Sequence, residues 1–246
     1  MISLRFALFS SVFTALVLTS GATETIYTAP TLPPNASLAS FPSPRDDWYA
    51  TVQHKFDRFS GKPAAIVFDG DSITNRWEGQ SIWKERYAGI AADFGIEGDR
   101  VENLLWRLSK GQMDGINPKI VVLMIGTNNS GRDSAAQIAD GIKAVVVEYE
   151  RRCPAAHIIL MGVFPRGETA KDNGRHKVAD VNKLIAPLGN NQRVSFVDIS
   201  AKMIEADGTI SREMMPDSVH PTAKGYQIWA DAIQPIIDQY VPKKTP

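Results

Sequence analysis

The sequence predicts an α/β protein built on a five-stranded parallel sheet, and three observations predict it. Short, continuous apolar runs occur at Ala64 to Phe68, Ile120 to Ile125, Ile158 to Val163 and Val194 to Val197. Each is too short for a helix and apolar enough throughout to be buried on both faces, as strands of parallel sheets are. Longer segments with helical spacing of apolar residues lie between them, and strands alternating with helices imply parallel pairing.

The elements follow in order. Arg5 precedes an acid-free apolar run from Phe6 to Leu18, then Ser20, Gly21 and Ala22, so 1–22 has the layout of a secretory signal. The run falls short of the roughly 20 residues that span a bilayer core. The expectation is an exported protein, periplasmic or secreted, with no stable membrane insertion after processing. Residues 23–45 hold Pro30, Pro33, Pro34, Pro42 and Pro44, a composition that resists helix and sheet and reads as a linker or surface-hugging arm. The folded domain is expected over 46–246. Asp46 and Asp47 are expected to cap a helix carrying Trp48, Val52, Phe56 and Phe59. After the first strand, Ala64 to Phe68, a weaker one is expected at Ala91 to Ile96, making five, and a helical stretch spans Asn103 to Leu108. Helices are expected over Ala135 to Tyr149, Lys177 to Leu188 and Ala223 to Tyr240, the last with a bend near Pro235.

Composition excludes several function classes. The 246 residues carry 27 Lys+Arg against 27 Asp+Glu, which leaves no cationic face for a phosphate backbone, so no nucleic-acid partner is expected. Cys153 is the single cysteine, and the spacings of zinc sites are missing, so neither a disulfide, a metal nor a cofactor is expected. Oligomeric state stays open, with a homodimer one option.

In parallel α/β sheets the chemistry gathers where the strands end, so the following loops carry the candidates. Asp69-Gly70-Asp71-Ser72 follows the first strand and puts Ser72 at a helix start, where its hydroxyl either faces the crevice or caps the helix. Gly98 follows the second strand and Asn128 the third; taken singly, one reads as a turn and the other as a loop-stabilising side chain. Asp217 and His220 stand three residues apart before the last helix, a spacing that lets the carboxylate hold Nδ1 and leave Nε2 free as a base. His54, His157 and His176 each have an ordinary structural explanation. Taken together, a serine, a histidine with its acid and two oxyanion donors on one sheet edge point to acyl transfer. Ser72 is not in a Gly-x-Ser-x-Gly elbow, which excludes the α/β-hydrolase scaffold despite the shared order Ser, Asp, His.

These blocks resemble the SGNH (GDSL) hydrolase superfamily, with Ser72, Gly98, Asn128 and His220 at its four signature positions and a match running from Ala64 to about Tyr240. Leu105-Trp106-Arg107-Leu108, Gly126-Thr127-Asn128-Asn129 and Pro165-Arg166-Gly167-Glu168 resemble the platelet-activating-factor acetylhydrolase catalytic subunits and their bacterial relatives. Glu97 departs from that subgroup, which has Gly there, and Ser218-Val219-His220-Pro221 replaces its Phe-Leu-His-Leu. The resemblance implies a three-layer α/β/α, flavodoxin-like sandwich. It implies Ser72 as nucleophile, His220 as base and Asp217 as its orienting acid. The oxyanion hole would comprise the backbone N–H groups of Ser72 and Gly98 and the Asn128 amide, with Ile73, Thr127 and Val219 closing a small acyl pocket. The expected function is a serine esterase for short-chain acetyl esters of carbohydrate; the alternative is an acetylhydrolase or lipase acting on phospholipid or other lipid esters. Trp77, Trp83, Trp106 and Arg166 are read either as sugar contacts or as core residues and a salt bridge. A phosphate-cofactor binder is disfavoured because Asp71 stands where the anion would sit, and a binding protein without activity because every catalytic part is present.

Overall fold

The computed structural model describes residues 37–189 and 192–242, all within the unit Leu32–Pro246. The expected signal, 1–22, and the first part of the Pro-rich stretch lie outside the described residues. Strands β1 (Ile66–Gly70), β2 (Ala91–Asp93), β3 (Ile120–Met124), β4 (His157–Met161) and β5 (Val194–Val197) form one sheet in the order β2-β1-β3-β4-β5. Every neighbouring pair is parallel, with Ile66 opposite both Ala91 and Ile120. Among the described residues the α-helices are α1 (Tyr49–Phe59), α2 (Ser72–Asn75), α3 (Ser81–Arg86), α4 (Val101–Ser109), α5 (Ala135–Arg152), α6 (Asn173–Ile185) and α7 (Ala223–Tyr240).

Strand alternation explains the layers. Successive side chains of a strand point to opposite faces, and the runs are apolar at every position, so each strand feeds two cores. Val67, Val121, Leu123, Ile158 and Leu160 pack with residues of α4, α5 and α6 on one face. Ile66, Phe68, Ile120, Val122, Met124, Ile159 and Met161 pack with Trp77, α3 and α7 on the other. Each such buried side chain contributes about 1.5–3 kcal/mol of transfer free energy. The result is the expected three-layer sandwich. The sheet order reverses between β1 and β3, and at such a switch point the loops splay apart and leave a crevice.

Some boundaries differ from the sequence expectation. β1 runs on through Asp69 and Gly70, because Asp69 is buried and fully engaged with side-chain donors. β2 stops at Asp93, whose carboxylate accepts the Gly95 N–H at 2.7 Å and turns the chain. Asp46 and Asp47 do not cap α1: Trp48 takes the N-cap position with no side-chain cap, since its indole is buried and its Nε1–H donates to Asp99 at 2.6 Å. α6 begins at Asn173, earlier than Lys177, because Asp172 caps it through the Gly174 N–H. α7 keeps its expected limits, with Pro235 inside it.

The described part of the Pro-rich stretch lies against the domain. Ala39 is buried, the Ser43 N–H donates to the Glu102 carbonyl at 3.0 Å, and the Asn103 amide donates back to the Ser43 carbonyl at 2.9 Å. This segment leads directly into α1 and reaches the loop after β2.

Candidate active site

The loop after β1 aims Ser72. A Cβ at Gly70 would collide with the Met124 carbonyl on β3 and the Thr74 hydroxyl, so only glycine lets the two strands stay paired there. Asp71 then caps α2, its Oδ1 accepting the Ile73 N–H at 2.9 Å. That settles the capping alternative for Ser72: the neighbouring carboxylate holds the helix start, and the serine hydroxyl stands free for another partner. It lies 2.8 Å from His220 Nε2.

His220 arrives from the far end of the chain on the turn before α7. Asp217 Oδ2 is 2.6 Å from His220 Nδ1, while its Oδ1 accepts the backbone N–H groups of His220 at 2.8 Å and Val219 at 3.1 Å. Ser218 between them has φ +61°, the one non-glycine residue in the left-handed region among the described residues. Such strain is held in place by its surroundings, here by bonds from Ser218 to Met215 and from Gly167 to Ser218. Burial alone would raise the Asp217 carboxyl, but the His220 and Val219 donors outweigh it and hold the group at about 2. An ionised carboxylate only accepts, so Nδ1 carries the proton and Nε2 presents its lone pair to Ser72.

The loops after β2 and β3 meet beside this chain. Gly98 has φ +75°, a conformation that favours glycine, and the Arg45 guanidinium lies over it, Nη1 2.6 Å from where a Cβ would stand. Asn128 donates one amide hydrogen to the Asp99 carbonyl at 2.9 Å, which ties the two oxyanion candidates together and leaves its second hydrogen uncommitted. The Ile96 N–H bonds the Gly70 carbonyl at 3.2 Å and fastens the same loop to the nucleophile's strand. The loop-stabilising role falls to Asn129, which accepts from Val101 and donates to Glu102 and Asp133. Of the expected acyl-pocket residues, Ile73 is 1% and Thr127 0% exposed, and Val219 is half-buried against the apolar cluster that contains Ile73.

The three tryptophans fall on the core side of their two readings. Trp77 and Trp83 are core, and Trp106 packs on Trp48 with 5.1 Å between ring centroids, which removes all three as sugar contacts. Among the described residues Arg166 has no salt-bridge partner; it donates instead to the Thr127 carbonyl and the Ser130 hydroxyl.

Behind the site lies a buried ionic network that the sequence reading did not find. Arg107 Nε donates to Asp99 Oδ2 and its Nη2 to Asp69 Oδ1, both at 2.9 Å, and all three side chains are 0% exposed. Gln112 donates to Asp69 Oδ2 at 2.6 Å, and Tyr149 also donates to that oxygen. The available signal was an arginine in the middle of the apolar stretch Leu104 to Leu108. At the rim, Arg76 pairs with Glu97 through two bonds of 2.8 and 3.2 Å, so the departure at Glu97 supplies half of an ion pair.

Two buried carboxyls set a pH dependence of stability. Burial raises Asp71 to about 7 against the Ile73 bond, with Asp99 and Glu97 adding to the rise and Arg166 opposing it. Burial likewise raises Asp93 to about 7 against the charge of Lys55. Each has one oxygen, Oδ2, buried without a partner. The folded state therefore keeps protons that the unfolded chain releases, and this stability, full below the ordinary carboxylate range, is lost as pH rises through about 7. The expected result is a Tm that falls between about pH 5 and pH 8, with a shallower fall in Asp93→Asn; a Tm that rises over that interval would contradict it.

The GDSL-like lipase/acylhydrolase family pattern matches residues 68–228. Platelet-activating factor acetylhydrolase IB subunit alpha1 of Homo sapiens is 37% identical over 196 residues, covering 76% of this chain and 84% of its own. Subunit alpha2 of Rattus norvegicus is 39% identical over 168 residues, covering 67% and 72%. In structure, a GDSL-like lipase from Bacteroides thetaiotaomicron superposes with a TM-score of 0.63 at 20% identity, over 78% of this chain and 98% of that one. An acetylxylan esterase from Geobacillus stearothermophilus gives 0.55 at 20%, over 72% and 94%. At these identities the structural likenesses speak for the fold.

Proposed function

The chain belongs to the GDSL-like lipase/acylhydrolase family and is a carboxylic ester hydrolase, and we propose that it releases acetyl groups from acetylated carbohydrate through an acyl-enzyme on Ser72. The observation that carries the mechanism is the unbroken line from the Ser72 hydroxyl through His220 to Asp217, at 2.8 and 2.6 Å. In the first step Ser72 Oγ attacks the ester carbonyl carbon and passes its proton to His220 Nε2. Asp217 stabilises the imidazolium. The carbonyl oxygen becomes an oxyanion, met by the Ser72 and Gly98 N–H groups and the free Asn128 hydrogen, each such donor typically worth about 3–4 kcal/mol in the transition state. His220 then protonates the leaving alcohol and activates the water that frees acetate.

Acetyl selectivity follows from closure. Ile73 and Thr127 are buried, so a longer chain would have to displace packed atoms. A methylene gains only about 1–3 kcal/mol even where it fits, and a clash overturns that gain. Across p-nitrophenyl esters, kcat/KM is expected to be highest for acetate and to shift toward butyrate in Ile73→Ala. A wild-type optimum at octanoate would refute the pocket assignment.

For the alcohol side, carbohydrate is supported by the polar walls beside Asn128, a cavity of about 520 Å³ whose lining includes Ser130, Arg166, Asn173 and Lys177. Such walls suit a hydroxylated group better than an alkyl chain. The export signal proposed for 1–22 would also bring the enzyme to acetylated glycans outside the cell. The names of the relatives favour a second reading, an acetyl ester of a lipid. Acetate release from acetylated polysaccharide compared with acetyl phospholipid separates the two.

A further inference from the structure

The cavity beside Asn128 is lined by two cations, Arg166 and Lys177, and one carboxylate, Asp172; Arg166 also acts on the buried Asp71 through its charge. Arg166 is half-buried, and its Nη1 donates to the Thr127 carbonyl at 2.8 Å, the Ser130 hydroxyl at 3.0 Å and the Thr127 hydroxyl at 3.4 Å. Lys177 donates to the Asp133 carbonyl at 2.9 Å. Neither has a carboxylate within ion-pair distance among the described residues, whereas Arg76, Arg107 and Arg132 each hold one. The acidic residue on the same wall, Asp172, caps α6 through its Oδ1 at the Gly174 N–H, 2.7 Å away, and its charge acts on Arg175.

A guanidinium fixed by three neutral acceptors at one nitrogen is oriented but not neutralised. Partial burial of a cation costs free energy unless an anion completes it. The planar guanidinium edge that remains suits a carboxylate or phosphate. The location fixes which part of the substrate reaches it. Asn128, which would bind the carbonyl oxygen, lines the cavity, whereas Ile73 and Thr127, assigned above to the acyl pocket, do not. A group extending into that space therefore belongs to the alcohol.

We propose that Arg166 and Lys177 form an anion subsite for the alcohol moiety, so that the preferred substrates are acetyl esters whose alcohol carries a carboxylate or a phosphate. This rests on the esterase reading above and narrows its substrate class. The two anion sources share one chemistry and are separated by experiment.

The test uses the full-length protein at low ionic strength with O-acetyl glucuronate, O-acetyl glucose and acetylglycerol phosphate, and p-nitrophenyl acetate as the reference ester. At least one anionic ester is expected to exceed O-acetyl glucose by about tenfold in kcat/KM, mainly through KM, and the margin should shrink with added salt. Which anion wins identifies carboxylate or phosphate as its source. The readout is the charged-to-neutral ratio within each variant: Arg166→Gln should bring it near one, and Arg166→Lys should restore part of it. Lys177→Gln gives an independent reading should Arg166→Gln not fold, and should lower the ratio as well. Hydrolysis of p-nitrophenyl acetate with neither anionic ester exceeding O-acetyl glucose in kcat/KM would overturn the subsite and leave the esterase reading standing. Failure to hydrolyse any of the four would overturn both.

Discussion

Ser72→Ala is expected to lower kcat on p-nitrophenyl acetate by about 10⁴- to 10⁶-fold, and His220→Ala by a similar factor, because the two act as one unit. The serine is bonded to the histidine at 2.8 Å, and α2 takes its cap from Asp71. Removing the hydroxyl therefore costs the fold little, within about 0.5 kcal/mol, and Tm should hardly move. A capping serine would give the opposite pattern: a loss of about 1 kcal/mol in stability with activity retained. The double variant should be scarcely slower than either single one. A Ser72→Ala protein with a full rate and a lowered Tm would end the mechanism.

Arg107→Met is expected to cost about 3–5 kcal/mol, read as a lower urea midpoint, because it strands two carboxylates that water cannot reach. Arg107 bonds Asp69 on β1 and Asp99 beside Gly98, all fully buried. Its loss also releases the loop whose Asp99 carbonyl orients Asn128, so the residual folded protein should show a lower kcat. Arg107→Lys keeps the charge but cannot reach both carboxylates with a planar fork, and should fall between the two. Stability within about 1 kcal/mol of wild type in Arg107→Met would mean that the network is not holding the loops.

The strands were legible because parallel pairing buries both faces, and apolar runs such as Ile120 to Ile125 record that directly. The loop chemistry was legible only in combination: Ser72 and Asn128 each have an ordinary reading as a cap or loop residue, and it is their joint placement with Asp217 and His220 on one sheet edge that points to acyl transfer. Less legible was anything that depends on compensation across the chain. Asp69 looked like the end of a strand, since nothing local shows that Arg107, Gln112 and Tyr149 converge on it. Asp46 and Asp47 looked like caps, because the capping preference is local while the pull of Asp99 on Trp48 acts across 51 positions. Trp77, Trp83 and Trp106 were ambiguous for a similar reason: an indole suits a sugar face or a core equally well until its neighbours are known.

The grip of the leading segment on the loop after β2 bears on how this enzyme can be cut down. Arg45 stands over Gly98 and donates to the Glu97 carbonyl at 3.0 Å, Trp48 donates to Asp99, and Lys55 on α1 is the cation nearest the buried Asp93. All three precede residue 68, where the match to the family pattern begins. A recombinant piece trimmed to that border would retain the nucleophile, base and acid, yet take Trp48 from Asp99, Lys55 from Asp93 and the Arg45 brace from the oxyanion backbone. The working unit by physics starts at the arm.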